Sequence, residues 1–358
     1  MANKAKNPFT LSFGEEPVEY MKRDDEVENI VASIASDPPL SRSFLITGVR
    51  GSGKTVLLGS VEQRFAESDE WIVVELNSSD DLREALAAKL YSLGKVKHLF
   101  LDKEFSFSFH GASFSISGKN PVLNIEDLLE RIFAELKKRK KRVLVCVDEV
   151  FATPSMKSFA LTMQMLNRHG CQITFLGTGL FENISELENS PNLTFLIRSP
   201  KIVLSPLPFA SIAASYRATL DVDESKAREF ALFTKGYAFA FQLLGYLLFK
   251  EPSKELSPSL LASFDAYLER YVYDKIWSSL SKGDKKVLTA FISNSPAQTG
   301  VILKSSGLSK DSFSRYRDRL IKKGLIASPE WGLLVLALPR FKEFMDIAVA
   351  RDNALALG

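Results

Sequence analysis

The chain has 358 residues, 46% hydrophobic and 25% charged, with a formal net charge of +3. That composition excludes a disordered tail and a fibre, and the charge is too small for this length to indicate nucleic acid without local clusters. Two cysteines, Cys146 and Cys171, build no disulfide framework, and the longest greasy run, YAFAFQLLGYLLF, falls short of the ~20 residues that span a bilayer. With MANKAKNPFT lacking the apolar run of a signal peptide, a cytoplasmic protein without a membrane segment is expected.

In chain order, SFLIT (43–47) reads as a buried strand feeding the glycine loop GVRGSGKT and then a helix with Leu58, Val61 and Phe65 on one face. WIVVELN (71–77) is a second strand, followed by a helix carrying Leu82, Leu86, Leu90 and Leu93 up to Gly94. FSFSFHGASFSISG (105–118) alternates Phe and Ser around Gly111-Ala112, the pattern of a hairpin with one apolar face. Asn124 is placed to cap a helix with Asp127 three residues on, and that helix closes in KKRKKR (137–142), where cations suit the negative end of the dipole and a phosphate-contacting patch is the alternative. VLVCVDEV is an unbroken apolar run closed by two acids, as for a strand covered on both faces. A helix around Phe159, Met163 and Leu166, the strand QITFLGT and a last strand KIVLSPL complete an α/β pattern: a parallel sheet flanked by helices.

After Pro206 only helical patterns follow as far as Leu280, giving a small helical lid. From Ser281 two short helices, a basic helix from Ser309 to Lys323, LIAS, a PEWG turn and the strand LLVLAL read as a winged helix. The expected division is therefore 1–206, 207–280 and 281–358.

GVRGSGKT fits G-x-x-x-x-G-K-[ST] in the strand-to-helix setting that gives the motif its meaning. Gly48, Val49, Arg50, Gly51, Ser52 and Gly53 would curl backbone amides round phosphate oxygens, Lys54 would neutralise the β- and γ-phosphates, and Thr55 would ligate Mg²⁺. Asp148 and Glu149 end a strand, where an open α/β sheet places its ligand crevice: Asp148 would hold Mg²⁺ and Glu149 would orient and deprotonate the attacking water. These two motifs predict a Mg²⁺-dependent hydrolase of a nucleoside triphosphate. The three histidines have no cysteine or acidic partner at metal spacing.

With these motifs the chain resembles the AAA+ ATPases, in the branch near the Orc1/Cdc6-like initiators and the STAND signalling ATPases. NPFTLSFGEEPVEYMKRDDEVENI is similar to that group's N-terminal box, which implies Arg23 beside the adenine. ITFLGTGL resembles the strand that carries a sensor-1 polar residue, here Thr178. LIRSPKIVLSPL resembles the segment bearing an arginine finger, which implies Arg198 in that role, a catalytic part supplied from a neighbouring subunit and hence a homo-oligomer. GYAFAFQLLG (236–245) resembles the segment that carries a sensor-2 arginine or a Gly-x-Pro motif, but it has no arginine and Ala238 stands in place of the proline. Tyr237, Phe239 and Phe241 are expected to pack in a core. The hairpin of 105–118 falls where several relatives carry an insert that reaches towards substrate.

The basic helix has six Lys or Arg against two Asp. In a winged helix Arg315, Arg317, Arg319 and Lys322 would face DNA phosphates and base edges, although Glu330 in the wing is acidic and such domains also dock proteins. Two functions follow: an ATPase that couples nucleotide state to conformational change or assembly on DNA, and a nucleotide-gated signalling or defence switch with slow turnover that binds protein partners.

Overall fold

The computed structural model describes residues 6–11, 21–92, 124–191 and 193–357. The hairpin expected over 105–118 lies outside them, as do His98 and His110. Two compact units are formed: residues 23–47 with 54–203, and residues 1–22 with 48–53 and 204–358.

The first unit opens with α1 (Asp24–Ala35) and β1 (Ser43–Thr47), and continues through α2 (Lys54–Ala66), β2 (Trp71–Asn77), α3 (Leu82–Ser92), α4 (Ile125–Lys138), β3 (Arg142–Asp148), α5 (Pro154–Arg168), β4 (Ile173–Gly179), α6 (Phe181–Glu188), a 3₁₀ turn (Thr194–Arg198) and β5 (Lys201–Val203). The five strands are parallel in the order β2-β3-β4-β1-β5. Because β1 lies between β4 and β5 rather than beside β2, the connections diverge at β1, the switch point at which open α/β sheets place their ligands, beyond the carboxyl ends of the strands. Every residue of β1 and β4 and five of the seven in β3 are buried, which explains why these strands read as apolar runs without alternation. Helix faces set by Leu86, Leu90, Leu129, Ile132, Phe159 and Met163 close on them. Asn124 does cap α4, accepting from Asp127 N at 2.9 Å, and Thr153 caps α5 ahead of Pro154.

The expected strand KIVLSPL shortens to β5, since Pro206 and Pro208 have no N–H to give a ladder. Most of KKRKKR is taken up structurally. Arg142 donates to the carbonyls that end α1 and covers the Trp71 ring at 4.4 Å, Lys138 pairs with Glu135, and Lys141 donates to Asp69 O.

In the second unit, α7 (Phe209–Leu220), α8 (Glu224–Phe233), α9 (Ala238–Lys250), α10 (Pro258–Leu268), a π-helical turn (Glu269–Tyr273) and α11 (Asp274–Ser279) precede α12 (Lys282–Thr289), β6 (Ala297–Gln298), α13 (Thr299–Ser306), α14 (Lys310–Lys322), β7 (Ile326–Ala327), β8 (Leu333–Leu336) and α15 (Phe341–Leu357). The short strands form an antiparallel sheet in the order β6-β8-β7. One continuous apolar core runs from Phe9 through Tyr216 and Phe241 to Phe313, Phe341 and Met345, so residues 207–280 and 281–358 share their interior. No described helix is long and apolar enough to cross a membrane.

Candidate nucleotide-binding site

The carboxyl ends of β3 and β4 and the first turn of α2 converge on one carboxylate. Asp148 ends β3, Thr55 Oγ1 donates to its Oδ2 at 2.8 Å, and Thr178 Oγ1 donates to its Oδ1. Val150 N in turn donates to Thr178 O at 2.7 Å, laying the exit of β3 over β4. A Cβ at Gly177 would come within 2.7 Å of the Phe175 ring and 3.0 Å of Val150, so glycine is what this close approach requires.

Glu149 follows Asp148 in the left-handed region (φ 54°), and its amide donates to Asp148 Oδ1 and to Thr178 Oγ1, both at 3.1 Å. A glutamate at this φ is strained by about 1 kcal/mol, and the surrounding bonds hold it there. The side chain of Glu149 is exposed, outside the hydrogen-bonded cluster. Sequence alone places Glu149 beside Asp148; the backbone twist that turns the two acids apart has no signature in residue type.

Lys54 begins α2 and is 9% exposed. In the loop, Gly51 and Gly53 take φ +76° and +94°, and Ser52 N donates to Val49 O at 3.2 Å. The Ser52 hydroxyl is buried without a partner, as is that of Thr47 at the end of β1. Buried hydroxyls left unpaired are uncommon. A carboxylate flanked by threonine hydroxyls is the hard oxygen chemistry Mg²⁺ takes, and a loop with φ > 0 glycines running into a helix suits phosphate, so the residues fit both groups.

The other expected site residues are placed differently. Arg23 precedes α1, is 9% exposed and pairs with Glu26 at 3.0 Å. Arg198 ends the 3₁₀ turn and is exposed, with no hydrogen bond or ion pair among the described residues. Its backbone is firmly seated, because the buried Ser199 hydroxyl meets that of Ser43 at 2.5 Å and Leu45 N donates to Pro200 O.

On α14, Arg315 and Lys322 are exposed. Arg317 is held by Asp318 at 2.7 Å. Arg319 is tied down, contrary to the expectation that it stands free for DNA: it donates to Asp284 and to Ser281 Oγ, each at 2.7 Å, and Asp284 is 1% exposed. The reason is Asp284, which also closes a capping box with Ser281 at the start of α12 and, once buried, requires a cation. The turn between β7 and β8 carries Trp331, wholly exposed, on a backbone pinned by Thr299 N to Gly332 O at 2.7 Å.

Sequence reasoning assigned Tyr237 to a core. Its ring is buried, yet its hydroxyl donates to Arg50 O of the glycine loop at 2.5 Å, and Phe239 N donates to Gly51 O at 3.1 Å. The visible signal was that a tyrosine rather than a phenylalanine opens a run of aromatics: buried, its hydroxyl needs a partner.

Residues 40–184 match the family described as AAA domain. These residues form an AAA domain. Residues 270–345 match a family described as a domain of unknown function. Around the AAA domain, the chain has the fold of the Aeropyrum pernix ORC2 protein in its ADPNP-ADP complexes, with 15% identity over 96% of this chain and 98% of that one and a TM-score of 0.59. The ADP form of the same protein is similar at 14% identity, covering 95% and 97%, with a TM-score of 0.51. The Pyrobaculum aerophilum Cdc6p structure is matched at 14% identity over 95% and 96%, with a TM-score of 0.49. No curated protein matches the sequence.

Proposed function

We propose that the chain is an ATPase of the Orc1/Cdc6 type that binds Mg²⁺-ATP on Gly48–Thr55 and hydrolyses it, coupling nucleotide state to assembly on DNA. The observation that carries this is the Asp148 carboxylate shared by Thr55 and Thr178, with exposed Glu149 beside it. When bound, Mg²⁺ would neutralise phosphate charge, held by Thr55 and Asp148. Lys54 adds a second positive charge, Thr178 orients Asp148, and Glu149 takes the proton of a water aligned with the terminal phosphate. Arg23 is assigned to the adenine end. Arg198, exposed on an anchored backbone, is assigned as a finger offered to a neighbouring copy, which makes the working form a homo-oligomer.

Residues 1–206 act in this reading as the ATPase core, 207–280 as a lid and 281–358 as a winged helix with α14 as the reading helix. Arg315 and Lys322 carry the phosphate contacts, Arg317 assists, and Arg319 fixes the helix in place. A second reading, a nucleotide-gated switch that docks proteins and turns over slowly, is favoured by one feature: the wing presents Trp331 and Glu330 rather than a cation. ATP hydrolysis measured with and without duplex DNA separates the two. Stimulation supports the first reading; ATP-dependent assembly indifferent to DNA supports the second.

A further inference from the structure

A phosphate loop has two edges. Trans peptides set each carbonyl opposite the following amide, so whatever holds the carbonyls decides where the amides point. Residues 48–53 lie in the same compact unit as residues 204–358, and there the carbonyl edge is held from α9. The Tyr237 hydroxyl takes Arg50 O at 2.5 Å, and the Phe239 amide takes Gly51 O at 3.1 Å. The approach is close enough that a Cβ on Gly51 would stand 2.4 Å from the Tyr237 hydroxyl and 3.0 Å from Phe239 Cβ. Burial pushes the Tyr237 phenol far above its ordinary range, so it remains a neutral donor at any working pH.

The same stretch reaches further. Lys235, two residues before Tyr237, donates its ammonium to Leu336 O of β8 at 2.9 Å. On the other shoulder of the loop, Val49 packs on the turn that leaves α14, where a Cβ on Gly324 would lie 3.5 Å from Val49 Cβ. Tyr271, on the π-helical turn, has its ring tilted at 50° to that of Phe239, with 6.4 Å between ring centroids. The loop is thus contacted by the start of α9 and by the turn after α14, in a chain whose sensor-2-like segment has no arginine.

We propose that Tyr237 is the positioning residue of the phosphate loop: with the Phe239 amide it fixes the carbonyl edge, so that a phosphate bound on the amide edge is felt at α9 and at the turn after α14. This rests on residues 48–55 being the triphosphate site. By linkage, a ligand on α14 must alter nucleotide affinity by the factor that nucleotide alters its own.

The test is hydrogen exchange, read by mass spectrometry with and without Mg²⁺-ATP, on the full chain and on Tyr237→Phe. In the wild type, ATP slows exchange at 48–55, 236–241 and 320–326. Tyr237→Phe retains protection at 48–55 and binds ATP within about fivefold of wild type, roughly the worth of one neutral hydrogen bond, but loses the protection at 236–241 and 320–326. Retention of all three in Tyr237→Phe overturns the proposal. So does a wild type protected at 48–55 alone, a result that needs no variant to fold. No protection at 48–55 in the wild type overturns the phosphate-loop reading itself, and this proposal with it.

Discussion

Thr55 donates its hydroxyl to Asp148 across 2.8 Å, tying the first turn of α2 to the end of β3. The pair proposed to hold Mg²⁺ is thereby brought together by the fold itself, with the second carboxylate oxygen occupied by Thr178.

Asp148→Asn keeps the shape of that cluster and removes its charge. The expected outcome is a variant that folds normally and binds ATP without dependence on Mg²⁺, with turnover lowered by at least about 100-fold, since loss of metal charge stabilisation costs several kcal/mol. Titrating Mg²⁺ against ATP affinity in wild type and variant checks this; equal Mg²⁺ dependence in the two removes Asp148 from the metal site.

Arg198→Ala leaves nucleotide affinity intact and lowers turnover by up to the ~10³–10⁵ that an arginine finger supplies. Because the finger is assigned to act on a neighbouring copy, mixing Arg198→Ala with Glu149→Gln restores part of the rate by forming sites with both groups. A mixture as inactive as its components excludes action between copies.

Of the three arginines of α14, Arg315 and Arg319 are assigned different functions. Arg315→Ala weakens binding to duplex DNA and flattens its salt dependence while leaving Tm unchanged. Arg319→Ala strips buried Asp284 of its partner, and a loss on the order of 2–3 kcal/mol in unfolding free energy is expected. Denaturant unfolding and salt-series binding on both variants test this; equal stability for the pair contradicts the structural role of Arg319.

Glu62, on α2, is pushed above the ordinary carboxylate range chiefly by burial, against a hydrogen bond with Cys146, and Glu75 and Asp148 push it further up. One of its oxygens is buried without a partner. A raised carboxyl destabilises the folded state wherever it is charged, and that cost vanishes once pH falls below ~4, where both states are protonated. Glu62→Gln is therefore expected to raise Tm at neutral pH, with the gain shrinking towards pH 4. A gain that is constant with pH points away from titration as its cause.

The sheet was largely legible because its signals are local. Buried strands on both faces leave unbroken apolar runs, and β1 and β2 have the bounds their runs predict. The glycine loop and the two acids announce their proposed chemistry in residue type and spacing. What the sequence withheld depends on contacts between distant residues. The strand order is one case, since nothing in the β1 run says that β4 and β5 flank it. Arg319 is another: its pairing with Asp284 spans 35 positions, and an aspartate three residues after Ser281 reads only as a helix cap until its burial is known. The helix α15 was missed as well, its Phe341, Phe344 and Met345 sharing a core with residues far upstream. Tyr237 was placed correctly in a core but without its second role, because a hydroxyl's partner cannot be read from the ring that carries it.

Glu149 bears the central claim most directly. It stands exposed beside Asp148, its backbone held in the left-handed region by bonds to Asp148 and Thr178 that an amide side chain leaves untouched. Single-turnover hydrolysis of Mg²⁺-ATP by wild type and Glu149→Gln, with affinity measured separately, is therefore decisive. The account predicts equal affinity and a rate lowered by about 10²–10⁴-fold in the variant, the span of general-base catalysis. An unchanged rate, or a wild type that binds no ATP, would contradict it.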